Sequence, residues 1–364
     1  MIMTNTNNKM NLSFAAINSF IETNEVLPTE KEIRGQHFIS WGDNNKFPFY
    51  LFDLYKNVST LQSIIQGFVD YICGDEIKSN TVKMTDDEMS TLVYDIALSY
   101  MIYGGFAINV IRNKIGEVYK LESLDFRNVR SNKNNDVLYY SEDYNNKSYG
   151  RAQYIAYPKY GKDDVKNANS IFYYKNNKYQ VYPIPMWNGA IKSCEIEKSI
   201  DEYHLNNINN GFMGSVLVSL NNGTPDDEIK AEIEKNFNEK FCGKENSGRV
   251  VISYSDDKDH SATIDKIETE DFSERYDSLA KRSREQIYTS FRCTPNLFGL
   301  PTETTGFNAQ EYQDAYALFN TTVIRPIQKT IIKSINSILG DNSITIEPFT
   351  VKFSEGVSDD KNID

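Results

Sequence analysis

The chain has 364 residues, with 51 acidic against 39 basic side chains, a net charge of −12 and a pI near 4.9. That balance argues against a sequence-specific nucleic-acid binder, which shows a basic face. Hydrophobic residues at 40% and aromatics at 13% exclude a disordered chain, and the length suits one large domain or two or three ordinary ones.

Residues 1–40 are polar and irregular and read as an arm. No charged start precedes an apolar run, so no signal peptide is expected. No apolar stretch approaches membrane-spanning length, so the chain reads as soluble with no membrane partner. Cys73, Cys194, Cys242 and Cys293 have no paired spacing and read as reduced, mostly buried thiols. Trp41 to Pro48 is a turn that opens a helix, with Pro48 in its first turn. Ser59 and Gln62 have capping-box spacing for a second helix, whose apolar face runs from Leu61 to Ile72 and which Gly74 ends. Thr85 followed by Asp86, Asp87 and Glu88 starts a third helix, which stops at Gly104-Gly105.

From 106 to about 185 the pattern becomes β-like. Alternation predicts one hairpin over Phe106–Arg112 and Ile115–Leu121, and another over Ile171–Tyr174 and Tyr179–Tyr182 turning on Asn176-Asn177. Eleven of the 24 tyrosines fall between Tyr139 and Tyr182. Tyrosine suits a half-buried pleated surface, so a β-rich layer is preferred to a sugar or nucleotide platform.

A helix is expected from about Cys194 to Asn210, with a narrow apolar stripe (Ile196, Ile200, Tyr203, Ile208). So little apolar face suits a helix that leans on neighbours through polar contacts. A compact unit follows: strand Ser215–Leu220, turn, helix from Pro225 to about Phe241 capped by Thr224, then strands Arg249–Tyr254 and Ala262–Ile267.

Helical spacing of Phe272, Tyr276, Leu279, Ser283, Ile287 and Phe291 predicts the next helix. On it Asp271 is spaced to balance Arg275, and Asp277 to balance Lys281. A second helical stripe runs from Tyr312 through Phe319, Val323, Ile327, Ile331 and Ile335 to Ile338. Asn308 and Glu311 are placed to cap it. Between them, Pro295, Gly299, Pro301 and Gly306 forbid helix, and a mobile loop is expected. Pro326 deletes the bond to the Thr322 carbonyl, so a bend is expected one turn earlier. A strand near Ser343–Phe353 closes the chain.

Three tokens, in order, carry a resemblance: Trp41-Gly42-Asp43-Asn44-Asn45-Lys46-Phe47-Pro48, then Tyr182-Pro183-Ile184-Pro185 through the helix ending at Asn210-Gly211, then Arg292-Cys293-Thr294-Pro295 with Leu297-Phe298-Gly299 and Arg325-Pro326-Ile327-Gln328. The chain resembles the portal proteins of tailed bacteriophages over residues 40–340. The resemblance implies an α+β portal fold with an α/β wing, two stem helices flanking a small α/β clip, a tunnel loop and a long kinked helix. It divides the chain into an arm (1–40), wing (41–193), stem helix (194–213), clip (214–267), stem helix (268–291), tunnel loop (292–307), kinked helix (308–340) and C-terminal strand and tail (341–364). The crown would be short or absent, and an alternative layout puts the clip in the tyrosine-rich 113–185 region.

The resemblance further implies a closed, dodecameric ring of itself at one capsid vertex, assembled in the host cytoplasm and carried in the virion. Double-stranded DNA, the terminase large subunit, a head–tail adaptor and the capsid or scaffold protein are the implied partners. Arg292, Asn296, Leu297, Phe298, Leu300, Thr302, Thr304 and Thr305 would be the loop's DNA-facing residues. Glu303 is the only charge from Cys293 to Phe307. Phosphate gripping needs cations, so the loop is expected to act sterically.

An enzyme is the rival class. Gly243 to Val250 has the two-glycine spacing of a phosphate loop. However, Arg249 and Val250 replace its lysine and hydroxyl, and it follows a helix instead of a strand. Asp256, Asp257, Asp259 and His260 read as a solvated turn instead of a metal site, and His204 as helix surface or an intersubunit contact, not a general base. No nucleophile elbow or dinucleotide fingerprint is present, so no catalytic residue, cofactor or metal is expected. A surface-binding protein using the tyrosine layer is the third reading.

Overall fold

The computed structural model describes residues 29–33, 35–144, 147–148, 151–152, 154–161, 168–209, 216–220, 229, 250–254, 272–298 and 309–350. They divide into two compact units, one of 1–191 with 287–364, the other of 192–286.

In the first unit, β1 (Glu30–Glu32) and β2 (Ile39–Trp41) form an antiparallel pair. The expected arm therefore gives way to folded chain near residue 30, because Phe38, Ile39 and Trp41 are buried. A short 3₁₀ turn at Asp43–Asn45 leads into α1 (Phe47–Asn57), and α2 (Ser59–Cys73) follows after one residue. The expected Ser59–Gln62 box does not form. Val58 is the N-cap, extended and fully buried, and it closes α1 through its N–H to the Leu54 carbonyl at 3.0 Å. Burial of Val58 places the break one residue before the serine.

Gly74 ends α2 at φ 70°, where a Cβ would lie 1.9 Å from the Glu347 carbonyl oxygen. There β3 (Glu76–Ser79) begins. The capping box of α3 (Asp86–Tyr103) is reciprocal: Glu88 N–H donates to Thr85 Oγ1 at 3.3 Å, and Thr85 N–H donates to Glu88 Oε2 at 2.9 Å. Gly104, at φ 80°, ends that helix.

Then β4 (Gly105–Arg112) and β5 (Val118–Ser123) form the first expected hairpin. Next come β6 (Val129–Ser131), β7 (Val137–Tyr140), the short pair β8 (Lys147–Ser148) and β9 (Arg151–Ala152), β10 (Ile155–Pro158) and β11 (Asn169–Lys175). Two antiparallel sheets result, in the orders β11-β4-β5 and β10-β7-β6. The second predicted hairpin fails, because β11 pairs with β4 and Tyr179–Tyr182 is not a strand. Side-chain amides take the ladder's place. Asn176 Nδ2 donates to the Ile184 carbonyl at 2.6 Å and Asn177 Nδ2 to the Tyr182 carbonyl at 2.8 Å. Pro183 and Pro185 have no N–H for a strand.

The Trp41–Asn45 turn wraps Arg130, which is fully buried. Its guanidinium donates to the carbonyls of Arg127 (2.7 Å), Val129 (2.8 Å) and Asn45 (3.1 Å), and to Asn45 Oδ1. The faces of Tyr144 and Trp41 lie 5.0 and 5.8 Å away. Trp41 in turn stacks on Tyr182 with centroids 4.7 Å apart. Burial pulls the Arg130 pKa down, yet a guanidinium remains charged, so the carbonyl cradle carries a cation. The Trp41–Asn45 token is therefore a structural clasp.

The second unit holds most of α4 (Ile191–Asn209), the parallel pair β12 (Val216–Leu220) and β13 (Val250–Tyr254), and most of α5 (Phe272–Phe291). Ser193 meets Gln286 at 2.7 Å and the tilted rings of Tyr203 and Tyr276 lie 4.8 Å apart, so α4 and α5 run antiparallel. A parallel pair requires a crossover. The helix expected from Pro225 to Phe241 and the strand at 262–267 lie outside the described residues, save Ile229, which is helical.

The first unit closes with α6 (Ala309–Phe319), a π-helical turn at Asn320–Ile324, α7 (Arg325–Leu339) and β14 (Ile344–Glu347) antiparallel to β3. Phe319, Val323, Ile327, Ile331, Ile335 and Ile338 are buried, as their spacing requires. No described helix is long and apolar enough to cross a membrane.

Candidate functional site

The site sits where α5 ends, beside the π-helical turn between α6 and α7. Arg292 N–H donates to the Thr289 carbonyl at 3.0 Å and Cys293 N–H to the Tyr288 carbonyl at 3.3 Å. This is the paired bonding of a Schellman stop, with Arg292 left-handed at φ 55° where glycine is usual. A non-glycine residue there costs on the order of 1 kcal/mol. The turn aims the Arg292 side chain at the π-helical turn, and Nη2 donates to the Thr322 carbonyl at 3.0 Å.

Thr322 is four residues before Pro326, so its carbonyl cannot receive the usual helical bond. The chain widens into the π turn at Asn320–Ile324, which ends two residues before the proline. Arg292 supplies the donor that Pro326 lacks. Gln328 Nε2 donates to the Ile72 carbonyl at 3.0 Å and to that of Tyr71 at 3.3 Å, satisfying orphan groups at the end of α2.

Beyond the stop, Pro295–Phe298 form a 3₁₀ turn pinned to α2. Tyr71 Oη donates to the Leu297 carbonyl at 2.6 Å and lies 2.9 Å from Tyr312 Oη. Burial, then the bond with Tyr312, pushes the Tyr71 pKa well up, which keeps the phenol a donor. Phe298 stacks on Phe68 with centroids 6.1 Å apart and meets Tyr71 and Tyr288 at 6.2 Å each. Its ring lies where Gly67 has no side chain: a Cβ there would come within 2.5 Å of it.

Of the eight residues expected to face DNA, Leu297 is instead buried and Phe298 is packed on α2, because both are the apolar root that joins the loop to the body. Arg292 is exposed, yet its guanidinium is engaged with Thr322. Asn296 is half-buried, its Oδ1 bonded by Thr294 Oγ1. Leu300, Thr302, Thr304 and Thr305 lie outside the described residues, as do residues 243–249 of the two-glycine loop, the Asp256–His260 run and Cys242. The clasp around Arg130 and the Arg292–Thr322 bond are what sequence reading missed.

Among the described residues no group of three His, Cys, Asp or Glu side chains could hold a metal. His204 lies edge-on to Tyr203 and Tyr276 on the paired helices. Cys194 and Cys293 are buried free thiols and Cys73 is partly covered. A family model described as phage portal protein matches residues 84–356, which take in both helices and everything between them. The chain belongs to this family.

The portal fold has counterparts among solved structures. A chain in the neck of an empty gene transfer agent particle, computed with C6 symmetry, matches at TM-score 0.51 and 11% identity, covering 83% of this chain and 84% of its own. A chain in the neck of the native particle computed with C12 symmetry matches at TM-score 0.48 and 12% identity, covering 82% and 83%. A search of curated protein sequences returns no match. The first likeness establishes the fold, an α+β arrangement of mixed helix and strand. Membership assigns the chain a portal or connector role, in a family that is structural and not enzymatic.

Proposed function

We propose that the protein is the portal subunit of a tailed phage-like particle, closing into a ring, a dodecamer, at one capsid vertex of the virion. Double-stranded DNA passes through the ring during packaging and ejection. The terminase large subunit docks on it during assembly in the host cytoplasm, and a head–tail adaptor later, within a shell of capsid or scaffold protein. Residues 41–193 form the wing, 194–213 and 268–291 the stem, 214–267 the clip and 308–340 the kinked helix. The family match over 84–356 carries this reading.

The tunnel loop, residues 292–307, narrows the channel sterically. Its root at Leu297 and Phe298 is fixed to α2, so the constricting part is its remainder, including Leu300, Thr302, Thr304 and Thr305. The helical pair α4 and α5 meets through a serine–glutamine bond and a tilted pair of tyrosine rings, which leaves polar surface for neighbouring copies. Native mass spectrometry of the purified chain, with electron microscopy of particles, tests the ring: a closed multimer with a central channel is expected. A monomer at high concentration together with ringless particles would overturn the reading.

A further inference from the structure

Residues 315–340 contain no aspartate or glutamate, in a chain that carries a net charge of −12. Their only charges are Arg325, Lys329 and Lys333, all exposed on α7. The four-residue spacing aligns them on one face, spanning about 12 Å along the axis. The opposite face of α7, with Ile327, Ile331 and Ile335, is buried, so the cationic stripe points outward. None of the three is in an ion pair among the described residues.

A matching anionic stripe lies on α3. Asp87, Thr91 and Asp95 are exposed at the same four-residue spacing, so the two carboxylates are also about 12 Å apart. They border a groove of about 420 Å³ between α3 and β5, into which Glu88, Lys120 and Glu122 also open. Lys120 is already paired with Glu122 at 2.8 Å. Asp87 and Asp95 have no ion pair among the described residues. Partial burial raises the Asp95 pKa, so a cation brought against it relieves an unfavourable setting.

We propose that the Arg325–Lys333 stripe of one copy docks on the Asp87–Asp95 groove of the next copy. The two patches differ in sign and lie on separate elements, which makes the contact heterologous, the kind that closes rings. Equal spacing sets the register: Arg325 and Lys333 face the two carboxylates in either helix direction, with Lys329 over Thr91. The inference rests on the ring reading and adds the surface that joins neighbours.

Mass photometry of the full chain tests it at low and high ionic strength, about 0.05 and about 0.5 M, since exposed pairs are screened by salt. Lys329→Glu with Lys333→Glu should raise the concentration at which rings dissociate about tenfold or more at low salt. Asp87→Lys with Asp95→Lys should do the same, and all four changes together should restore assembly to within about threefold of wild type. Because Asp87 lies in the first turn of α3, Asp87→Asn with Asp95→Asn serves as a milder variant, expected to give an intermediate loss with unchanged circular dichroism. Reversals that assemble as wild type does, or a fourfold variant no better than its halves, would overturn the contact and leave the ring reading intact. Reversed-stripe rings that assemble normally but lose salt-dependent DNA binding would assign the stripe to nucleic acid and also overturn it. Failure of the wild-type chain to form rings under any condition would overturn both.

Discussion

Gly67→Ala places a methyl group under the Phe298 ring. In an ordinary helix this change stabilises by up to about 1 kcal/mol, since alanine loses less conformational entropy. Here the new Cβ would lie 2.5 Å from the ring, about 1 Å inside ordinary contact, so the ring must leave its place. Phe298 has three aromatic neighbours, Phe68, Tyr71 and Tyr288. At about 0.5–1.5 kcal/mol for each pair, displacement costs more than the helix gains, and a net loss of about 2 kcal/mol is expected. A double-mutant cycle with Phe298→Ala separates the two effects by sign. In the Phe298→Ala background the same Gly67→Ala change should stabilise by about 0.5–1 kcal/mol. Thermal or urea unfolding of the four proteins reads the cycle. Stabilisation by Gly67→Ala in both backgrounds would refute the placement of Phe298 on α2.

Arg130→Met leaves the Asn45, Arg127 and Val129 carbonyls without their donor, and urea unfolding followed by tryptophan fluorescence should show a loss of about 3–5 kcal/mol. Arg292→Ala removes the donor to Thr322, whereas Pro326→Ala restores the missing N–H. The first should increase amide exchange through 320–324, and Pro326→Ala in the Arg292→Ala background should reduce it again; unchanged exchange in both would sink the coupling. Burial pushes the Cys73 and Cys293 pKa values up to about 12, so the reactive thiolate is scarce at pH 8 and grows only as pH rises toward that value. Alkylation of the folded chain at pH 8 should therefore be far slower than after unfolding, and equal rates would contradict the burial.

What the sequence made legible is what depends on near neighbours along the chain. Thr85 and Glu88 cap each other across three residues, and the Phe319–Ile338 stripe repeats at the helical period, so both are visible as spacing. Pro326 names the carbonyl it deprives by counting back one turn. The failures are tertiary. Ser59 has the right spacing for a cap, but burial of Val58 moves the break. Tyr179–Tyr182 alternates like a strand, but β11 pairs instead with β4, far earlier in sequence, from Asn169 with Ile111 to Lys175 with Gly105. Leu297 and Phe298 look like apolar residues offered by a loop, and only the notch at Gly67 and the hydroxyl of Tyr71 show that they are held. The Arg292–Thr322 bond spans 30 residues and joins a side chain to a carbonyl, a pairing that leaves no pattern in sequence.

The division of the loop into a fixed root and a remainder sharpens the test of the proposed constriction. Removing Thr302 to Thr305 leaves Pro295–Phe298, the Arg292 stop and the α6–α7 stripe untouched, so rings should assemble as before. The remainder from Gly299 to Phe307 carries one charge, Glu303, and no lysine or arginine. DNA affinity of isolated rings should therefore change little, with no altered salt slope, because that slope counts phosphates neutralised by cations. Packaging or retention of the genome should fall, since a steric constriction works through its bulk. The expected pattern is thus normal assembly, unchanged salt dependence and leaky particles. Rings that fall apart would make residues 302–305 a structural joint between copies. Particles that fill and hold their genome normally would place the DNA-facing element elsewhere in the chain. A change in salt slope alone would mean that the loop positions cations it does not itself contain, and the exposed stripe at Arg325, Lys329 and Lys333 would be the first place to look for them.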